Sequence, residues 1–378
     1  MRKEQPLSNL KSVNVRLATP EDAHLDTYDN TKLVAINTCP KWGIVRYVHH
    51  KAFPTNARAM ALEAGSALHE VFAAVRLYQL VYHTLKDEPE EIRRAFLEYH
   101  GKRLFNTKDM PDRFEGAMLP QLDGDEDERT KRINFCLSAF YTAGYYDDPS
   151  DRRRTSSNLE ECAILYIERY DFDRLNVWVR DRTDHTSDVG IEIAFDLVLS
   201  FEFDDGSIRE YRFIGKFDGL MTDPRADGEL IVGENKTASR MDEAWRMSFE
   251  LATQLTGYMI AGSVWAGQSI SRGTVYGLQV PLPKSVEGGI ILEPVNREDF
   301  QFADWFDWFL HTVDIAEMYR DDPVSAPKYT HSCSRYFRPC PFISLCASSK
   351  EDQRLALEEE MVIAEWSPLH TAEGSASD

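Results

Sequence analysis

No apolar run in the sequence reaches the roughly 20 residues needed to cross a bilayer. Residues 1–20 are polar and lack the apolar centre of a secretory signal, so the expectation is a cytoplasmic protein that does not enter a membrane. Cysteine is scarce: six in 378 residues exclude a disulfide framework of the secreted kind and make metal binding the first use to test. The close cysteine pairs of zinc ribbons are missing, as are internal repeats and any zinc-finger or helix-turn-helix recognition module. Positive charge is also in short supply. With 43 Lys and Arg against 63 Asp and Glu, the formal net charge is -20, which opposes tight duplex binding through a broad basic surface. An acidic metal site or a local basic groove is still compatible with that balance.

What is present is a large supply of core material. Hydrophobic residues make up 43% of the chain and aromatics 11%, enough for one large domain or two ordinary ones. Residues 56–85 are rich in Ala, Leu, Met and Val at helical spacing and predict a long helix carrying Gly65 and His69. Residues 87–182 read as a mainly helical insertion, interrupted by Pro89, Pro111 and Pro120, an acidic run at 123–128 and a basic run at Arg152, Arg153 and Arg154. The period then changes to two. Residues 191–203 and 210–221 predict a hairpin about the Asp204-Asp205-Gly206 turn, and 229–236 a third strand. A helix is expected over 240–262, a strand over 273–280 and a helix over 297–320, with a small, polar, disordered tail over 367–378.

Chemistry concentrates on the strands. Residues two apart on a strand share a face, so Glu234 and Lys236 project into one space while Asn235 points away. A carboxylate beside an ammonium suits metal-dependent hydrolysis: the first holds a hard divalent cation, and the second helps to stabilise developing charge. Asp218, at the end of the preceding strand, supplies a second carboxylate if the two strands are neighbours. Glu234 lies in an otherwise apolar strand, Leu230 to Val232, where a charge needs a reason. Gln254 and Tyr258 are four apart on the following helix and share a face. Taken singly, each has an ordinary alternative. A strand charge can be a surface ion pair, and a lone helical His69 is more often structural than a ligand.

The ordered set His69, Asp218, Glu234 with Lys236, then Gln254 with Tyr258 resembles the PD-(D/E)XK nuclease superfamily, in particular its RecB-like branch, over residues 56–280 without the insertion. That resemblance implies His69, Asp218 and Glu234 as ligands of Mg2+ or Mn2+, together with the backbone carbonyl of Asn235. It implies Lys236 as the catalytic lysine, Gln254 and Tyr258 as orienting groups, and Glu192 as a second-tier acidic residue supporting the site.

Cys333, Cys340 and Cys346, with six and five residues between them, stand near the C-terminus, and Cys39 near the N-terminus is the remaining candidate partner. Four thiolates can hold either an iron-sulfur cluster or a tetrahedral zinc, and the irregular spacing favours the cluster. The set is similar to that of CRISPR-associated and helicase-linked nucleases of the same branch, which implies a structural 4Fe-4S cluster clamping the chain ends over the nuclease core. Cys136 and Cys162 have apolar neighbours and read as small buried side chains.

The fold class expected is therefore α/β: a central mixed sheet flanked by helices, a restriction-endonuclease-like core over residues 1–366 with the helical insertion and a C-terminal iron-sulfur segment. The expected function is metal-dependent cleavage of DNA, exonucleolytic on single strands or ends, with Trp178, Arg180, Arg182, Trp245 and Arg246 as possible strand contacts. The rival readings are a non-catalytic DNA-binding scaffold subunit and a nuclease directed at RNA.

Overall fold

A computed structural model describes residues 10–54, 59–106, 112–114, 127–283, 289–335 and 338–369. Residues 56–58 of the expected long helix, Pro111, Pro120, the acidic run at 123–126 and the tail from 370 lie outside the described residues. The architecture is mixed α/β, a large mixed sheet flanked by helices. Among the described residues no helix is long and apolar enough to cross a membrane.

The chain divides into two compact units. The first comprises Met1–Ala57, Ala194–Lys216 and Glu298–Asp378. Its strand Leu10–Leu17 pairs antiparallel with Ile191–Phe203, with Val13 opposite Phe201. The apolar residues alternate along this first strand, but they fall in what reads as a polar leader. A predominantly aromatic core forms where Trp305 and Phe309 of the helix Asp299–Tyr319 meet Phe213, and Tyr28, Phe201 and Tyr211 gather around Phe309. Asp29 caps the helix Asn30–Thr38, accepting from the backbone N–H groups of Thr31 and Lys32, and so satisfies two of its otherwise orphaned donors.

The second unit comprises Arg58–Ile193 and Phe217–Arg297. The predicted long helix is Met60–Gln79, with one wider turn over Leu80–Thr84, and it buries Leu68, Val71, Phe72, Val75 and Leu77. Residues 87–182 carry the helices Glu90–Phe105, Glu128–Thr142 and Ser156–Arg169. Cys136 and Cys162 are buried there, and burial pushes the Cys162 thiol up to about 11. Strand Glu229–Ala238 lies between Ile208–Asp223, with which it runs antiparallel, and Arg272–Gln279, with which it runs parallel. A parallel neighbour requires a crossover, and the helices Glu243–Met247 and Thr253–Ala266 provide it.

Those two helices stand where one is predicted over 240–262. The interruption has a partner remote in sequence: the buried guanidinium of Arg297 donates to the carbonyls of Phe249 and Ala252, 2.9 and 3.4 Å away, and to Thr256 Oγ1 at 2.8 Å. Carbonyls released by the break are thereby satisfied. An unpredicted strand, Ile290–Asn296, closes this end of the sheet path; its Pro294 suits an edge, where no ladder donor is required.

Candidate active site

The second unit holds the residues of the expected hydrolytic set in two parts, and Glu234 is not a member of the close grouping. On one side is a close grouping of His69, Glu192 and Asp218, whose ligating atoms all lie within 4.8 Å of one another. His69 comes from the long helix, Glu192 from the start of strand Ile191–Phe203 and Asp218 from within Ile208–Asp223. His69 Nδ1 is 3.6 Å from Asp218 Oδ1. The other carboxylate oxygen, Oδ2, accepts from the backbone N–H of Asn235 at 2.6 Å. That bond lies just past the pairing of Gly219 with Gly233, so a side-chain carboxylate takes an acceptor role at the end of the ladder and ties the two strands together.

Glu192 adopts φ +49°, a left-handed conformation that costs a non-glycine residue about 1–3 kcal/mol. Strain of this kind persists where its surroundings impose it, here at a carboxylate grouped with a histidine and an aspartate. Glu192, expected as a second-tier acidic residue, is one of the three members of this close grouping. Alternating hydrophobicity carries no trace of a local backbone reversal; the one sequence clue was an acid between Ile191 and Ile193.

The second part is a chain of hydrogen bonds. Lys236 Nζ donates to Glu234 Oε1 at 2.5 Å and to Gln254 Oε1 at 3.0 Å, and Gln254 Nε2 donates to the Tyr258 hydroxyl at 2.8 Å. Thus the shared strand face of Glu234 and Lys236 and the shared helix face of Gln254 and Tyr258 meet through the lysine. The Lys236 side chain is 33% exposed, and two acceptors fix the direction of its ammonium. Asn235, pointing away as expected, is buried and accepts from the Tyr166 hydroxyl at 3.3 Å.

Glu234 is only 3% exposed, and its Oε2 has no hydrogen-bond partner among the described residues. Burial pushes its carboxyl up to about 8, the charge of Asp218 pushes in the same direction, and Lys236 opposes both. Burial would lower the Lys236 ammonium, but the attraction of Glu234 outweighs it and raises the group. A buried carboxylate oxygen without a donor, beside a second carboxylate, is an arrangement that a hard divalent cation would satisfy.

The raised Glu234 carboxyl gives a signed pH dependence. Above its usual 4.5 the unfolded chain releases this proton while the folded metal-free protein retains it. The stabilisation is complete at low pH and is lost as pH rises through about 8. In chelator, the melting temperature of the wild type should therefore fall relative to Glu234→Gln between pH 5 and 8; parallel curves would refute the assignment.

The expected strand contacts lie on two segments, 178–182 and the helix Glu243–Met247. Trp178 and Trp265 have ring centroids 4.9 Å apart with the Arg180 guanidinium over both, while Asp188 matches the Arg180 charge at 3.0 Å. Trp245 packs over Gly277, Arg246 faces Glu293 at 3.7 Å, and Arg182 is exposed.

Cys39, Cys333, Cys340 and Cys346 lie in the first unit. Cys39 is buried at the junction of helices Asn30–Thr38 and Pro40–Gly43. A two-residue hairpin, Ser334–Arg335 with Arg338–Pro339, joins Cys333 to Cys340, whose N–H donates to the Cys333 carbonyl at 2.8 Å. Cys346 follows on the short helix Ile343–Ala347. Burial raises the Cys340 thiol, the Phe342 N–H lowers it, and Cys39 and Cys333 raise it further. Burial likewise raises Cys346, with Lys41 and Lys328 opposing and Cys39 and Cys340 reinforcing. Nearby, Lys41 Nζ donates to the Val324 carbonyl and Gln353 Oε1, and strand Val362–Ile363 pairs with Lys51–Ala52, so segments from both ends of the chain are tied together.

No family model matches this chain, and no curated protein matches it.

Proposed function

We propose that the protein is a metal-dependent nuclease that hydrolyses DNA phosphodiester bonds, acting as an exonuclease on single strands or ends. The observation carrying this reading is the convergence of His69, Glu192 and Asp218 with the hydrogen-bonded chain Glu234, Lys236, Gln254, Tyr258. His69, Glu192, Asp218 and Glu234, with the Asn235 carbonyl, are the groups that would hold Mg2+ or Mn2+. When bound, such a cation polarises the phosphodiester and makes bound water more acidic. Lys236 directs its ammonium toward the same space, where it stabilises negative charge developing on the phosphoryl oxygens. Gln254 holds that ammonium in line, and Tyr258 fixes the Gln254 amide.

The four thiols of Cys39, Cys333, Cys340 and Cys346 have the donor chemistry for a 4Fe-4S cluster, which we assign a structural role because phosphodiester hydrolysis transfers no electrons. The acidic net charge is compatible with a substrate engaged mainly through a metal-loaded site.

The assay is incubation of the purified protein with end-labelled single-stranded DNA, duplex DNA and RNA, in Mg2+, Mn2+ or chelator. Progressive shortening of single-stranded DNA with either metal and none in chelator is expected. Binding without cleavage under every metal condition would favour a non-catalytic scaffold, and faster loss of RNA would reassign the substrate.

A further inference from the structure

Arg76 is 1% exposed, among the largest side chains buried in the protein, on the same helix as His69 and seven residues beyond it. Two helical turns separate these residues, so they share a face. The guanidinium lies where side chains are missing from two paired strands. A Cβ on Gly219 would come within 2.9 Å of Arg76 Cζ, and one on Gly233 within 2.9 Å of Nη2. Gly219 and Gly233 are register partners, and each is the immediate neighbour of a site carboxylate, Asp218 or Glu234. A glycine beside each acid thus creates a notch that a guanidinium fills.

The contacts inside the notch are poor for a cation. Nη1 donates to Met221 Sδ at 2.8 Å, and the Tyr276 ring lies 4.9 Å from Cζ. Nε and Nη2 have no hydrogen-bond partner, and among the described residues no carboxylate lies within ion-pair distance. A buried charge left this way is costly, and an apolar side chain would fill the space at less expense. Burial works against the charged guanidinium, and the charge of Asp218 works in its favour.

We propose that Arg76 is a positioning residue of the site: its guanidinium, lodged between Gly219 and Gly233, is the fixed countercharge that holds the two strands together and offsets the charge of Asp218. This rests on the metal-site reading above. With the countercharge in place, a cation-loaded site carries one more positive charge toward an anionic phosphodiester, at the expense of some affinity for the cation itself.

The charge argument gives a result that packing alone does not. In the full-length protein at pH 8, Arg76→Met, which keeps an unbranched side chain without charge, should bind Mn2+ about tenfold more tightly by calorimetry, the scale of removing one nearby like charge at a protein's effective dielectric. It should also show a larger Mn2+-induced rise in melting temperature and a several-fold higher KM for single-stranded DNA. Arg76→Lys should stay near wild type in all three. If Arg76→Met does not accumulate as folded protein, Arg76→Gln against Arg76→Lys makes the same neutral-versus-charged comparison. Unchanged or weaker Mn2+ binding in the neutral variant overturns the countercharge role. A wild type that binds no Mn2+ overturns the metal-site reading, and the proposal falls with it.

Discussion

Asp218→Ala, Glu234→Ala and Lys236→Ala should each reduce DNA cleavage by about 10³-fold or more, while the folded protein persists. The three act at different points of one arrangement. Asp218 faces His69 and Glu192 and anchors the Asn235 N–H. Glu234 holds Lys236 through one oxygen and offers the other, which has no donor. Lys236 is the ammonium that Gln254 aims. Stability should differ among them. Asp218→Ala leaves a buried N–H without its acceptor and should lose about 1–3 kcal/mol, whereas Asp218→Asn keeps an amide oxygen for that bond and loses the charge. An Asp218→Asn protein that melts near wild type and does not cleave separates chemistry from folding. Near-normal cleavage of labelled DNA by all three alanine variants would remove the nuclease assignment from these positions.

Most of this site can be read from periodicity. Residues 191–203 alternate except at Ala194 and Val198, and the strand Ile191–Phe203 has those limits. Placing Glu234, Lys236, Gln254 and Tyr258 requires only a period of two on a strand and four on a helix, because local backbone geometry dictates which side chains share a face. The remainder depends on contacts between distant segments. Arg297 ends one helix and leaves another to start, although nothing within 240–262 except Gly257 and Gly262 argues against continuity. Glu192 gains its place from a backbone reversal that hydrophobic alternation does not encode. Arg76 is hidden for another reason: within Ala73 to Leu77 a lone arginine reads as the polar face of a helix, and only the structure reveals that two glycines make room for it. The edge strand Ile290–Asn296 escapes because Pro294 argues against a central strand, which it is not.

The two proposed metal sites should separate under mutation: Cys340→Ser should lose iron and stability, and Glu234→Ala should lose activity and keep its iron. Protein purified without oxygen should be brown, absorb broadly near about 400 nm and carry roughly four irons per chain if four thiolates hold one cluster. Cys39 and Cys346 are separated by on the order of 300 residues, so a cluster joining them closes a very long loop. Around the cysteines, Val45, Phe342, Leu345, Ala356 and Met361 form a small buried group, with Cys340 packed against it. Removing the Cys340 thiolate should therefore lower the melting temperature by about 5 °C or more and increase proteolysis of both chain ends. Glu234 lies in the other unit, where its loss deletes a buried charge that Asp218 repels. The metal-free Glu234→Ala protein should accordingly be as stable as wild type or slightly more so at pH 8. Iron analysis and thermal melting of both variants decide the matter: a Cys340→Ser protein with full iron and an unchanged melting point would show that these thiols do not hold the cluster, and colourless wild-type protein with stoichiometric zinc would give them a different metal.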